Sequence, residues 1–190
     1  MIRSFIAIEL PLDTKDALGK LLEGLKRYSP DISWVKRENI HLTIKFLGNI
    51  HEKRIKEIKG AIKDATKGIS PFYLRPFGLG AFPNPKNPRV IWIGIDKSKP
   101  LEKIYTELQR GLEKLGFKGE DRAFSPHLTL GRVKRPAHGR HLSDAIKKYN
   151  NFSAPSFLVQ DIVLFKSELH PKGAKYTALE RVSLKGNKTN

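Results

Sequence analysis

One short pattern occurs twice in this chain, as His41-Leu42-Thr43-Ile44 and again, 86 residues later, as His127-Leu128-Thr129-Leu130. Other landmarks keep nearly the same interval. Phe5-Ile6-Ala7-Ile8-Glu9 is matched by Trp92-Ile93-Gly94-Ile95-Asp96, Phe72 by Phe157, and the turn around Pro85 by the turn around Pro171. A repeat of this length is a supersecondary unit present in two copies. Apolar runs of strand length and apolar stripes of helical period alternate within each copy. They predict strands at 5–10, 32–35, 72–79, 89–96, 157–165 and 176–184, besides the two histidine strands. Helices are predicted at 13–28, 51–66, 99–115 and 141–149. The first helix would be capped by Asp13 or Thr14 and buried along Leu18, Leu21, Leu22 and Leu25. The fold class expected is α+β: two lobes of duplicated β-α-β-β-α-β units about a pseudo-two-fold, with mostly antiparallel sheets lining a central cleft.

The repeated tetrapeptide reads as strand, because Ile and Thr are β-branched and polarity alternates. Residues i and i+2 of a strand face the same way. His41 therefore shares a face with Thr43, and His127 with Thr129, while Leu42, Ile44, Leu128 and Leu130 back them. If the two strands lie side by side, two imidazoles and two hydroxyls look into one cleft, which suits acid–base chemistry on something small and anionic. By the same parity Lys45 falls on the His41 face. Arg132, five residues after His127, falls on the apolar face unless Gly131 allows a bulge that re-aims it.

With 36 Lys and Arg against 19 Asp and Glu, the net charge is +17, which favours polyanions and nucleic acid first. The alternative use of such charge is a solvated, heat-resistant surface. Zero Cys excludes disulfides and any thiolate nucleophile or ligand. His138 and His141 stand at i, i+3, but no third ligand is evident, so no metal site is read. The aromatics Trp34, Phe46, Phe82 and Trp92 read mainly as core. No signal peptide and no apolar run of bilayer length is found, and the expected setting is the cytoplasm.

Asn39-Ile40-His41-Leu42-Thr43-Ile44-Lys45-Phe46-Leu47-Gly48, Phe124-Ser125-Pro126-His127-Leu128-Thr129-Leu130-Gly131-Arg132 and the opening Arg3-Ser4-Phe5-Ile6-Ala7-Ile8 resemble the RNA 2′,3′-cyclic phosphodiesterases, also known as 2′-5′ RNA ligases, of the 2H phosphoesterase superfamily. The resemblance runs from about Arg3 to Leu184. Asn49, where an acidic residue is common, and Gly131, where Ala is common, depart from the pattern without touching the His-Thr pairs. The resemblance implies one domain, 1–190, of two interwoven lobes with a frayed tail at 185–190. It implies metal-independent hydrolysis of RNA cyclic phosphate ends to 2′-phosphomonoesters, with 2′-5′ ligation as the reverse reaction. His41 would be the proton donor, His127 the acceptor, and Thr43, Thr129 and Arg132 the phosphate ligands. No cofactor is expected, and the partner would be RNA with a cyclic phosphate or a 2′-5′ linkage, tRNA-derived RNA included, bound by a monomer. Lys45, Lys134 and Arg135 are candidate RNA contacts, with Arg140 and the turn lysines Lys86 and Lys172 as further basic positions. The competing readings are a non-catalytic basic RNA-binding module and a 2H phosphodiesterase acting on a small nucleotide.

Overall fold

Strand-period and helix-period segments do alternate along the chain in the computed structural model, which describes residues 1–28, 31–121, 123–134, 140–171 and 173–186, with the backbone alone at 140 and 141. The elements are β1 (Ile2–Glu9), α1 (Leu12–Lys26), β2 (Ile32–Trp34), β3 (His41–Ile50), α2 (Ile55–Ala65), β4 (Phe72–Leu74), β5 (Pro76–Phe82), β6 (Val90–Ile95), α3 (Lys99–Lys114), β7 (His127–Val133), α4 (Arg140–Lys148), β8 (Phe157–Val159), β9 (Asp161–His170) and β10 (Gly173–Ser183). The strands expected at 72–79 and 157–165 are each broken in two, at Arg75 and at Gln160. In both copies the first piece leaves the main sheet: β4 pairs with β8 as a separate two-stranded ribbon. Pro76 accounts for the first break, since it has no N–H to donate to a ladder and so stands as the first residue of β5.

Every strand pair among the described residues is antiparallel. The main sheet runs β10-β9-β1-β3-β7-β6-β5, with β2 added to β7. The histidine strands β3 and β7 are its central neighbours and meet at Leu42 opposite Leu128. On either side the order is repeated with exchanged parts. β9, from the second copy, completes the flank of β1 and β3, and β5, from the first copy, completes the flank of β6 and β7. The pseudo-two-fold of the sequence thus passes between β3 and β7.

Helices cover one face. Leu18, Leu21, Leu22 and Leu25 of α1, Ile58 and Ile62 of α2, and Leu101, Ile104, Leu108 and Leu112 of α3 all join one buried core with the inward residues of the sheet. Each such aliphatic side chain contributes roughly 1.5–3 kcal/mol by leaving water. Replacing fully buried Leu18 by Ala costs about 2–5 kcal/mol once the cavity is included. α1 starts one residue earlier than read, after Pro11, and no side chain caps it. Asp13 instead accepts the N–H of Thr14, inside the helix. Lys185 and Gly186 are not frayed, since Gly186 N–H donates to the carbonyl of Ile69. On the other, more open face the described residues form one small buried cluster, Phe5, Ala7, Val163 and Phe165 with Tyr176 against it.

Candidate active site

The open face owes its chemistry to two matching irregularities. Between β1 and β3 the register slips where Ile6 faces Lys45 and Ala7 faces Thr43, so Ile44 is an extra residue. Between β6 and β7 it slips where Ile91 faces Gly131 and Trp92 faces Thr129, so Leu130 is extra. Ile44 and Leu130 are themselves 86 residues apart. A bulge of one residue reverses the facing of everything after it. This corrects the parity reading of Lys45. It points away from the histidines, is only 5% exposed, and donates to the carbonyl of Lys118 (2.9 Å) and to Glu120 (3.0 Å). The same bulge in β7 brings Arg132 onto the histidine face. Gly131 serves here by its size: a Cβ would lie 2.7 Å from Ile32 and 2.8 Å from Trp34, which cross it on β2.

The two histidines are held alike. Nδ1 of His41 lies 2.7 Å from the carbonyl of Asn39, and Nδ1 of His127 lies 2.7 Å from the carbonyl of Ser125. A carbonyl only accepts, so each Nδ1 carries the hydrogen and each Nε2 is left for a ligand. Extended by one residue each way, the Leu42–Leu128 pairing sets His41 opposite Thr129 and Thr43 opposite His127. Neither threonine hydroxyl makes a hydrogen bond among the described residues, so both remain available as donors.

Their surroundings differ. His41 stacks on Phe5 (4.8 Å between centroids) and meets Tyr176 edge-on (5.1 Å). Burial holds its pKa below the ordinary imidazole value. The carbonyl of Asn39 opposes that effect and the charge of Lys15 adds to it. His127 meets Phe82 edge-on (5.0 Å) and lies 6.4 Å from Trp92, which packs flat over Gly80.

A cleft of about 650 Å³ runs across the face from β2 and β7 to the hairpin of β9 and β10. His41, Thr43, Thr129 and Arg132 line it, together with Arg3, Lys36, Trp34, Asn39, Phe46 and Tyr176. His127 stands beyond this lining, on the far side of the β3–β7 seam. Among the described residues, three cations and no carboxylate line the cleft, a setting for an anion. Phe46, 59% exposed and in the cleft, is not a core residue; it occupies in β3 the place that Arg132 occupies in β7. Lys134 is exposed at the end of β7 and does not line the cleft. Arg135, His138 and Lys172 lie outside the described residues, as do the side chains of Arg140 and His141. Among the described residues no group of three or more His, Cys, Asp or Glu could hold a metal ion, and no helix is long and apolar enough to cross a membrane.

The family model for LigT-like phosphoesterases matches twice, over residues 8–92 and 93–176. The chain belongs to the LigT-like phosphoesterase family. It is 34% identical, over 94% of its length and 97% of the relative's, to an RNA 2′,3′-cyclic phosphodiesterase of Methanothermobacter thermautotrophicus. It is 37% identical to one of Methanocaldococcus jannaschii, over 94% and 99% of the two chains. A crystal structure of a Thermus thermophilus protein superposes with a TM-score of 0.81, at 29% identity, over 97% and 99% of the chains. E. coli LigT complexed with 3′-AMP shares the fold, with a TM-score of 0.75 at 23% identity over 96% and 98%. The family model's division at 92/93 falls within β6, the strand that answers to β1 and begins the second LigT-like copy.

Among the cleft residues that sequence reasoning missed are Arg3, Lys36, Ser167 and Tyr176. Arg3 alternates with Phe5 on β1, a signal that parity alone could have given once β1 was known to flank β3. Lys36 and Tyr176 carry no such signal, because they enter through the β2 connection and through the register of β10.

Proposed function

We propose that this chain hydrolyses RNA 2′,3′-cyclic phosphate ends to 2′-phosphomonoesters without a metal ion, His41 donating a proton and His127 accepting one. Water attacks phosphorus and gives its proton to Nε2 of His127. The bond from phosphorus to the ribose 3′-oxygen breaks, and Nε2–H of His41 protonates that oxygen. Thr43, Thr129 and Arg132 donate to the non-bridging oxygens as their charge grows. Bringing an anionic phosphate beside His41 opposes the lowering of its pKa by burial and so favours the proton-carrying form that a donor needs. Phe46 offers a ring to a base, and stacking of this kind accepts any base. The reverse reaction, with an RNA 5′-hydroxyl in place of water, forms a 2′-5′ linkage. The proposal extends to a monomer acting in the cytoplasm on RNA ends, those of tRNA-derived fragments included.

One observation carries this reading: two imidazoles of fixed tautomer and two unused hydroxyls stand on directly paired strands, beside a cleft lined by cations. The relatives' names point the same way. The test is to incubate a cyclic-phosphate oligonucleotide with the protein in EDTA and identify its end. A 2′-phosphate is expected. An unchanged end would leave a binding module, and a 3′-phosphate would reverse the assignment of the leaving oxygen.

A further inference from the structure

The cleft does not stop at the reacting phosphate. If His41 protonates the 3′-oxygen, as proposed above, the terminal ribose lies on the His41 side. That is the side on which the cleft runs on, past Phe5 and over the β9–β10 hairpin. Strand registers place a row of polar groups there. Phe5 faces Phe165 and Ser4 faces Lys166, so one step further sets Arg3 opposite Ser167, and Ser167 is paired with Tyr176 on β10. All three line the cleft. Arg3 stands two positions from Phe5, the residue stacked on His41, along β1, roughly 7 Å of strand. Along β1, Arg3 therefore starts on the order of one nucleotide step from the residue that stacks on His41.

The row is built and has no internal partner. Among the described residues, Arg3 makes no ion pair, and neither Ser167 nor Tyr176 makes a side-chain hydrogen bond. The adjoining Ser4 is 1% exposed, and its hydroxyl is buried without a partner among the described residues. No carboxylate among the described residues lines this end. Burial raises the pKa of Tyr176, and the charges of Arg132 and Arg3 both oppose that rise.

We infer that Arg3, with Ser167 and Tyr176, binds the phosphodiester on the 5′ side of the terminal nucleoside. This subsite lets the enzyme distinguish a cyclic phosphate that ends an RNA from the same group on a free mononucleotide. The inference rests on the hydrolysis proposed above. An arginine suits the task because its planar fork meets two oxygens of a phosphodiester at once.

The experiment compares a dinucleotide 2′,3′-cyclic phosphate with the corresponding mononucleotide. In the wild type the dinucleotide should have the higher kcat/KM, by about tenfold or more, as a charge-assisted contact provides. R3Q should remove most of that ratio, and R3K should recover part of it. Salt should weaken binding of the dinucleotide with a steeper slope than the mononucleotide, by about 0.7 for one further phosphate, and R3Q should abolish the difference. A ratio in R3Q equal to that of the wild type overturns the subsite, as does a wild type that treats both compounds alike. Equilibrium binding of the two compounds to the His127→Ala protein reads the same ratio without turnover, so loss of hydrolysis and loss of the subsite are told apart. Equal affinities there also overturn it.

Discussion

His41 and His127 each hold a backbone carbonyl at 2.7 Å through Nδ1, and each is followed by the same one-residue bulge. Yet His41 packs against both Phe5 and Tyr176 and looks into the cleft, whereas His127 stands across the seam against Phe82 and Trp92. The first residue to return to the site face after the bulge is Phe46 in one half and Arg132 in the other. Duplication supplies two equivalent backbones and two equivalent imidazoles. A cyclic phosphate is not symmetric: one side bears a ribose and a base, the other faces water. In the proposed mechanism, what fits the halves to it is the set of residues that broke the symmetry, a ring on one side and a guanidinium on the other.

The largest expected effect tests the shared part. His41→Ala and His127→Ala should each lower kcat on a cyclic-phosphate oligonucleotide by about 10²–10⁴-fold. The double variant should be little worse than either alone, because the two groups act in one step. An active His127→Ala enzyme breaks the equivalence. The next effect tests what differs. Arg132→Ala should cost about 10–100-fold in kcat/KM, the range for a charge-assisted hydrogen bond. Phe46→Ala should act mainly through KM, by about 1–3 kcal/mol of lost stacking, with kcat little changed. If Phe46→Ala instead lowers kcat alone, it is not a base platform.

Smaller again is Lys45→Met, where the counterpart in the other half is Gly131. The Met chain keeps the packing of the stem but abandons the carbonyl of Lys118 and the half-exposed Glu120. Urea unfolding should show a loss of about 1–2 kcal/mol. The salt dependence of RNA binding should not change, and a flatter slope would restore Lys45 as an RNA contact. The smallest effect is Lys15→Gln. Lys15 depresses the pKa of His41, so its neutralisation should raise that pKa. A proton donor works below its pKa, so the alkaline limb of the pH–rate profile that His41 governs should move to higher pH. Movement of the acidic limb in its place would contradict His41 as the donor.

The duplication was legible because apolar periodicity and a rare polar insertion recur at one interval. Period two along the histidine strands was enough to pair His41 with Thr43 and His127 with Thr129. Beyond those residues parity failed, in both copies and for one reason. Ile44 and Leu130 are ordinary strand residues, and nothing in their chemistry marks them as extra. The slip is decided by the neighbouring strands, β1 and β6, and by the close crossing of β2 over Gly131. Lys45 was therefore misfaced, whereas Arg132 reaches the histidine face through the bulge expected beside Gly131. The breaks at Arg75 and Gln160 did carry a signal, the polar or proline interruptions Arg75-Pro76 and Gln160-Asp161, but apolar residues resume so soon on either side that each run reads as one strand. Arg3 and Tyr176 come together only through pairings between opposite ends of the chain, which no local pattern encodes.

The exchange of β5 and β9 between the halves sets a timetable. Phe5 pairs with Phe165, so 160 residues must be made after it before that edge of β1 can close. At about 5–20 residues per second, synthesis of that length takes roughly 8–32 s. Through that interval the nascent chain carries the first histidine strand and an open β1 edge of eight residues, IRSFIAIE, mostly apolar. Neither half of the sequence seals its own sheet: the flank of β6 and β7 is completed by a strand already made, whereas the edge of β1 waits for the last two strands of the chain.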